Sequence, residues 1–184
     1  MKTKRYAIVL DTHRCIDCKA CTVACKVENN VPLGKENYRN WVGADPLRGS
    51  YPNLGESYTP SQCQHCSNPP CAHVCPTSAT TVSPDGIVHV IDHKCIGCKY
   101  CMTACPYNAR YYNEEIEAVD KCTFCTQRIQ VGRIPACVET CPTKVRVFGD
   151  INDPNSEVSQ LLAENPSRVL KEAQGTKPNL YYLI

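Results

Sequence analysis

Cys15 to Cys25 reads CIDCKACTVAC, and Cys95 to Pro106 reads CIGCKYCMTACP. In both stretches four cysteines are separated by gaps of two, two and three residues. The match extends to His13/His93, Ile16/Ile96, Lys19/Lys99 and Ala24/Ala104, a self-similarity at a period of 80 that marks a duplicated unit. A C-x-x-C-x-x-C loop wraps three thiolates around one cubane and can turn its backbone N–H groups toward the sulfurs. The fourth cysteine lies one helical turn further on and points to a second centre.

Two more quartets lie between and after these. Cys63, Cys66, Cys71 and Cys75 widen the middle gap to four residues, and Cys122, Cys125, Cys137 and Cys141 widen it to eleven, while the outer CxxC and CxxxC never change. One loop varies and the ligand geometry at each end is held. Pro76, Pro106 and Pro142 follow the fourth cysteine in three quartets and push it out of helical geometry. Lys26 takes that place in the first.

Zinc is the main rival for such CxxC knuckles, but a tetrahedral ion has no use for a third thiol two residues after each pair. Disulfides are disfavoured because cysteines this close would compete for wrong partners. The pattern predicts four [4Fe-4S] clusters. Every quartet is complete in cysteine, so His13, His65, His73, His89 and His93 read as surface groups or as neighbours of the ligands, and no Rieske pair is present.

Between Cys75 and Cys95 two β-branched runs, TTV and IVHVI, flank a Ser-Pro-Asp-Gly turn and predict a β-hairpin. The second and third quartets with that hairpin make one contiguous two-cluster ferredoxin. The strand-like Tyr6–Leu10 before the first quartet is half of another, completed by the fourth quartet and KVRVFG at 144–149. The expected fold is α+β, with two nested ferredoxin-like lobes, short strands, short helices and long loops. A polyferredoxin domain spans 1–150, as an outer lobe of 1–30 with 118–150, an inserted lobe of 58–112 and a docking loop at 27–62 that carries Trp41, the one tryptophan. Cross-ligation within each lobe predicts cluster 1 on Cys15, Cys18, Cys21 and Cys141, and cluster 2 on Cys122, Cys125, Cys137 and Cys25. Cluster 3 falls on Cys63, Cys66, Cys71 and Cys105, and cluster 4 on Cys95, Cys98, Cys101 and Cys75.

Residues 151–184 read as a helix and an extended tail. Asn155 or Ser156 caps the helix, Val158, Leu161 and Leu162 form its apolar face, and it ends at Pro166. Leu180 to Ile184 want burial against this chain or a partner.

Composition agrees with bound inorganic cores. Of the 184 residues, 42% are hydrophobic, and with the 16 cysteines set aside about a third of the chain remains to build an ordinary core, so metal sites must supply part of the packing. The formal charge of +2 becomes about −6 once four oxidised thiolate-bound clusters of about −2 each are counted. Arg14, Lys19, Lys26, Lys94, Lys99 and Lys121 stand beside cysteines, where they are solvated or offset that charge. Basic residues neither run together nor alternate with aromatics, which argues against nucleic acid. The first apolar run, Tyr6–Leu10, is too short for a signal segment or a membrane span. The expectation is a soluble chain, exported only as the passenger of a signal-bearing partner and assembled in a reducing compartment.

From YAIVLDTHRCIDCKACTVACKVENNVP through CQHCSNPPCAHVCPT, CIGCKYCMTACPYNARYY and KCTFC to PACVETCPTKVRVFGD and GTKPNLYYL, the sequence resembles the four-cluster iron–sulfur subunits of dimethyl sulfoxide reductase-group molybdenum oxidoreductases, above all those of polysulfide and thiosulfate reductases. The resemblance implies a non-catalytic relay of single electrons between an integral membrane subunit that oxidises quinol and a molybdopterin-containing catalytic subunit. The complex would be a respiratory reductase of polysulfide, thiosulfate, tetrathionate, arsenate or dimethyl sulfoxide type. It also implies a place peripheral to the cytoplasmic membrane, on the periplasmic side by co-export or else cytoplasmic. An electron-transfer subunit of a formate dehydrogenase or hydrogenase, and a free soluble polyferredoxin, remain open at this point.

Overall fold

Strand β1, Tyr6–Leu10, is buried over Ala7 to Leu10 because both of its faces are covered, and this explains the unbroken apolar run YAIVL. The computed structural model describes residues 3–184. After β1 a 3-10 turn at Thr12–Arg14 leads into the first cysteine loop. There Asp17 and Lys19 both take left-handed φ, 55° and 57°, before helix α1 starts at Ala20. The duplicate repeats this closely. A 3-10 turn covers Asp92–Lys94, Gly97 and Lys99 have φ of 66° and 61°, and a helix starts at Tyr100. Alternating left-handed residues turn successive N–H groups inward and make a concave site for an anion.

Helix α1 runs nine residues, Ala20–Glu28, because Lys26 rather than proline follows Cys25. Its ammonium donates to the carbonyls of Pro32 and Asn37 and lies 4.3 Å from the Tyr38 ring centre. Lys26 therefore organises the following segment rather than a thiolate. That segment is more ordered than its sequence pattern suggests. Within the expected docking loop, β2 (Asn40–Ala44), β3 (Arg48–Ser50), β4 (Asn53–Gly55) and β5 (Tyr58–Gln62) form two antiparallel pairs, β2 with β5 and β3 with β4 at the tip. The period-two signal is missing because the buried positions of β2 and β5 are Asn40, Pro60, Ser61 and Gln62, not aliphatics. Trp41 packs on the main core.

Next come α2 (Pro70–His73), then β6 (Thr80–Val82) and β7 (Val88–Val90), paired antiparallel across the Ser83–Gly86 turn. Helix α3 (Tyr100–Thr103) is followed by a second hairpin, β8 (Tyr111–Asn113) with β9 (Ala118–Asp120). Two single-turn helices, α4 (Thr126–Ile129) and α5 (Ala136–Glu139), carry the fourth quartet. Helix α1 packs on α5, and α2 packs on α3. Pro76, Pro106 and Pro142 each follow a one-turn helix, as their missing N–H requires.

Strand β10, Arg146–Asp150, pairs antiparallel with β1 from Tyr6↔Asp150 to Leu10↔Arg146. Helix α6, Glu157–Glu164, is capped by Ser156, whose Oγ accepts from the Ser159 N–H at 3.2 Å. After β11 (Ser167–Arg168) the tail forms β12 (Leu180–Leu183), parallel to β1, giving the sheet order β10-β1-β12-β11. The tail is thus covered by the protein itself: Leu180 and Tyr182 are buried, and only Ile184 at the end is largely exposed. Ala7 and Val9 point to α6 and meet Val158. Ile8 and Leu10 point the other way, into a core shared with Cys63, Cys66, Cys122 and Phe124.

Candidate metal centres

All sixteen cysteines are free thiols, and each predicted ligand set lines one cavity. Cys15, Cys18 and Cys21 share a cavity with Cys141, and Cys122, Cys125 and Cys137 share one with Cys25. Cys63, Cys66 and Cys71 meet Cys105, and Cys95, Cys98 and Cys101 meet Cys75. Three neighbouring thiols come from one quartet and the fourth from the partner quartet, because a helical turn carries the last cysteine away from its own loop, within α1 for Cys25 and through a one-turn helix closed by proline for Cys75, Cys105 and Cys141. Among the described residues, no three His, Cys, Asp or Glu side chains converge closely enough for one ion. A zinc site would gather its sulfurs at about 2.3 Å from a single point. Four thiols standing around a cavity fit a multi-iron core instead.

Several of the buried thiols resist ionisation without such a core. Burial and then the neighbouring Cys137 and Cys125 push Cys25 up to about 12, and burial with Cys63 does the same to Cys66. Cys137 rises to about 11 by burial, and Cys122 rises well above its usual value by burial and then by Cys25, Cys137 and Cys63. Binding of iron replaces these protons with positive charge, which couples loading to folding. The influence of Cys63 on Cys122 also places the second and fourth quartets side by side.

Donors surround the sulfurs. The Phe124 N–H donates to Cys122 Sγ at 3.4 Å and the Val145 N–H to Cys141 Sγ at 3.3 Å. Asn29 Nδ2 lies 3.6 Å from the sulfurs of both Cys25 and Cys125, and Gln62 Nε2 lies 3.6 Å from Cys122 Sγ. Such bonds stabilise thiolate charge and raise the potential of a bound cluster.

Beside Arg128, which is 7% exposed and pairs with Glu28 and Glu139, three more cations are buried: Arg110, Lys121 and Arg146 are 6%, 1% and 2% exposed. Among the described residues none of these three has a carboxylate partner. The Lys121 ammonium donates to the carbonyls of Val88 and Cys122. Of the six basic residues beside cysteines it alone is buried; Arg14, Lys19, Lys94 and Lys99 are exposed. Sequence reasoning missed Arg110, Arg146, Gln62 and Asn29. A signal existed for the two arginines, since CPYNAR and CPTKVR both place arginine five residues after the fourth cysteine.

None of the five histidines lines a quartet cavity. His65 is fully buried, accepts the Val88 N–H at Nδ1 and stacks on Phe124 with ring centres 3.6 Å apart. His65 lies between Cys63 and Cys66, and Phe124 between Cys122 and Cys125, so this stack joins two cysteine loops.

Two family models described as 4Fe-4S dicluster domains match, at residues 14–79 and 55–151. They overlap at 55–79 and follow one another along the sequence. The B subunit of tetrathionate reductase from Salmonella typhimurium is 44% identical, over 97% of this chain and 72% of its own length. The B component of polysulfide reductase from Wolinella succinogenes is 43% identical, over 97% and 93%. A Halobacterium salinarum protein named for the iron–sulfur component of a dimethyl sulfoxide reductase is also 43% identical, over 97% and 78%. Two dicluster domains account for four [4Fe-4S] clusters, in step with sixteen cysteines in four cavities. The protein belongs to the 4Fe-4S dicluster family and, within it, to the iron–sulfur subunits that these relatives represent.

Proposed function

We propose that this chain relays single electrons through four [4Fe-4S] clusters between a quinol-oxidising membrane subunit and a molybdopterin-containing catalytic subunit of a respiratory reductase. The observation that carries the reading is the set of four cavities, each walled by three cysteines of one quartet and one of another. The proposed ligand sets are Cys15, Cys18, Cys21 and Cys141; Cys122, Cys125, Cys137 and Cys25; Cys63, Cys66, Cys71 and Cys105; and Cys95, Cys98, Cys101 and Cys75. They divide the protein into an outer lobe with an inserted one. When bound, the clusters supply one-electron chemistry.

The protein's own part is to hold the thiolates, aim donors at them and exclude water. Cys18 and Cys98 are the two exposed cysteines and lie in the first and last cavities of the series, beside the exposed apolar side chains Ile16 and Ile96. These two surfaces suit docking of a donor on one side and an acceptor on the other. Among the described residues no helix is long and apolar enough to cross a membrane, so the chain is proposed to sit peripherally, on the periplasmic side by co-export with its catalytic partner.

Two experiments test this. Native mass spectrometry of the purified complex should find a molybdenum-containing subunit and a membrane subunit with the chain, and elution of the chain alone would refute the subunit role. Replacing Cys25 with serine should damage the centre at Cys122, Cys125 and Cys137, removing about four of about sixteen irons. Loss of the electron paramagnetic resonance signal at the Cys15 centre alone would refute the ligand sets and the nesting.

A further inference from the structure

The two buried arginines repeat one device. Arg110 closes CPYNAR and Arg146 closes CPTKVR, each at the start of or just before a strand that follows a one-turn helix. Arg110 walls the cavity of Cys63, Cys66, Cys71 and Cys105, and its Nη2 donates to Cys71 Sγ at 2.9 Å. Its Nη1 donates to Thr80 Oγ1 at 3.3 Å, and Thr80 walls the cavity of Cys75, Cys95, Cys98 and Cys101.

Arg146 has the same relation to the other two cavities. It walls that of Cys15, Cys18, Cys21 and Cys141, and its Nη1 donates at 2.6 Å to Gln62 Oε1. Gln62 walls the cavity of Cys25, Cys122, Cys125 and Cys137 and reaches Cys122 Sγ with its amide. The second Arg146 terminal nitrogen, Nη2, is buried with no partner in the protein.

A guanidinium cannot shed its charge, and burying one without a counter-ion is costly. With no carboxylate on either arginine, the compensating negative charge has to come from the thiolate-bound centres on its two sides. A cation held there favours the more negative, reduced form and so raises the potential. We propose that Arg110 and Arg146 set the cluster potentials in pairs, each raising the potentials of the two centres of its own lobe together. Each electron passing through a lobe then adds a negative charge facing the same guanidinium at either centre, with no bond made or broken. A shared shift leaves the step within a lobe unchanged and moves the step between lobes, which crosses the His65–Phe124 stack and Lys121.

The proposal rests on the ligand sets above, so the test first labels the centres. Cys75→Ser and Cys105→Ser, each in the holoprotein, identify the two signals of the inserted lobe by electron paramagnetic resonance. Redox titration of Arg110→Met with dithionite should then show those two centres harder to reduce by at least tenfold in equilibrium constant, which is 59 mV for a one-electron couple. The other two should be unmoved and the iron content retained. Arg146→Met should shift the complementary pair, and Arg110→Lys should recover more than half of the loss. If Arg110→Met loses iron, Arg110→Gln keeps a hydrogen-bond donor without charge and gives the same reading. A shift at one centre only, at all four or at none overturns the proposal, as does a lysine variant that behaves like methionine. If the two serine variants label centres that do not belong to one lobe, the ligand sets fail instead.

Discussion

Arg39 and Asp120 form a bidentate ion pair, with Nε to Oδ2 at 3.1 Å and Nη2 to Oδ1 at 2.9 Å, and their side chains are only 14% and 10% exposed. The pair ties the long β2–β5 segment to the β8–β9 hairpin, and Arg39 also walls the cavity of Cys25 and Cys122. Arg39→Met leaves the Asp120 carboxylate buried with two remaining donors, the Tyr111 hydroxyl and the Lys121 N–H. Removing one partner of a buried pair costs about 3–5 kcal/mol, and the two residual donors place this case near the lower end, at about 3 kcal/mol. For a chain of this size each kcal/mol moves the midpoint by about 2–4 °C, so the variant should melt about 6–12 °C lower.

The assay is loss of the visible iron–sulfur absorption on heating the anaerobic holoprotein, at one fixed scan rate because unfolding with cluster loss is irreversible. Asp120→Asn should also destabilise, and the double variant should lose clearly less than the two single losses combined, because no lone charge is left buried. A drop of under about 2 °C for Arg39→Met, the scale of an ordinary surface change, would refute the clamp. So would strict additivity in the double variant.

Gly149 lies under α6, where an added Cβ would come within 3.2 Å of Val158 Cγ2. Gly149→Ala should therefore cost about 1 kcal/mol or more despite alanine's lower chain entropy, and Val158→Ala in the same protein should relieve the crowding; equal melting of Gly149→Ala and the parent would contradict this. Stripping iron with a chelator should collapse the fold, because the desolvated thiols lose the cation that lets them ionise. Amide exchange reports it: slow exchange over Ala7–Leu10 in the apo form would show that the core stands without the metal.

Elements that bury aliphatic residues, or that stop at proline or glycine, were readable from residues alone. Tyr6–Leu10, the hairpin around Ser83–Gly86 and the Ser156-capped helix appear where local pattern puts them. The β2–β5 pair was not readable, because its inward side is polar and serves sulfur: Gln62 is fully buried and its amide points at Cys122. An alternation rule looks for aliphatics and finds none. Strand β12 escaped for a different reason. Its apolar residues announced burial, but a parallel pairing with a strand some 170 positions earlier leaves no local trace, and the choice between this chain and a partner depended on the open edge of β1.

The same distinction between local and distant partners explains the charges. Basic residues adjacent to cysteines looked like the natural counter-ions, yet Lys19 and Lys99 sit in left-handed turns at the surface, each next to the exposed cysteine of its loop. A loop that wraps three thiolates presents its backbone inward and its side chains outward, so its own lysines are turned to water. A cation that reaches between two cavities has to come from outside the wrapping loop, and the first segments to return inward after Pro106 and Pro142 are the ones that hold Arg110 and Arg146. Five residues past the fourth cysteine is therefore where the topology can deliver a buried charge, and the third and fourth quartets use that place for arginine.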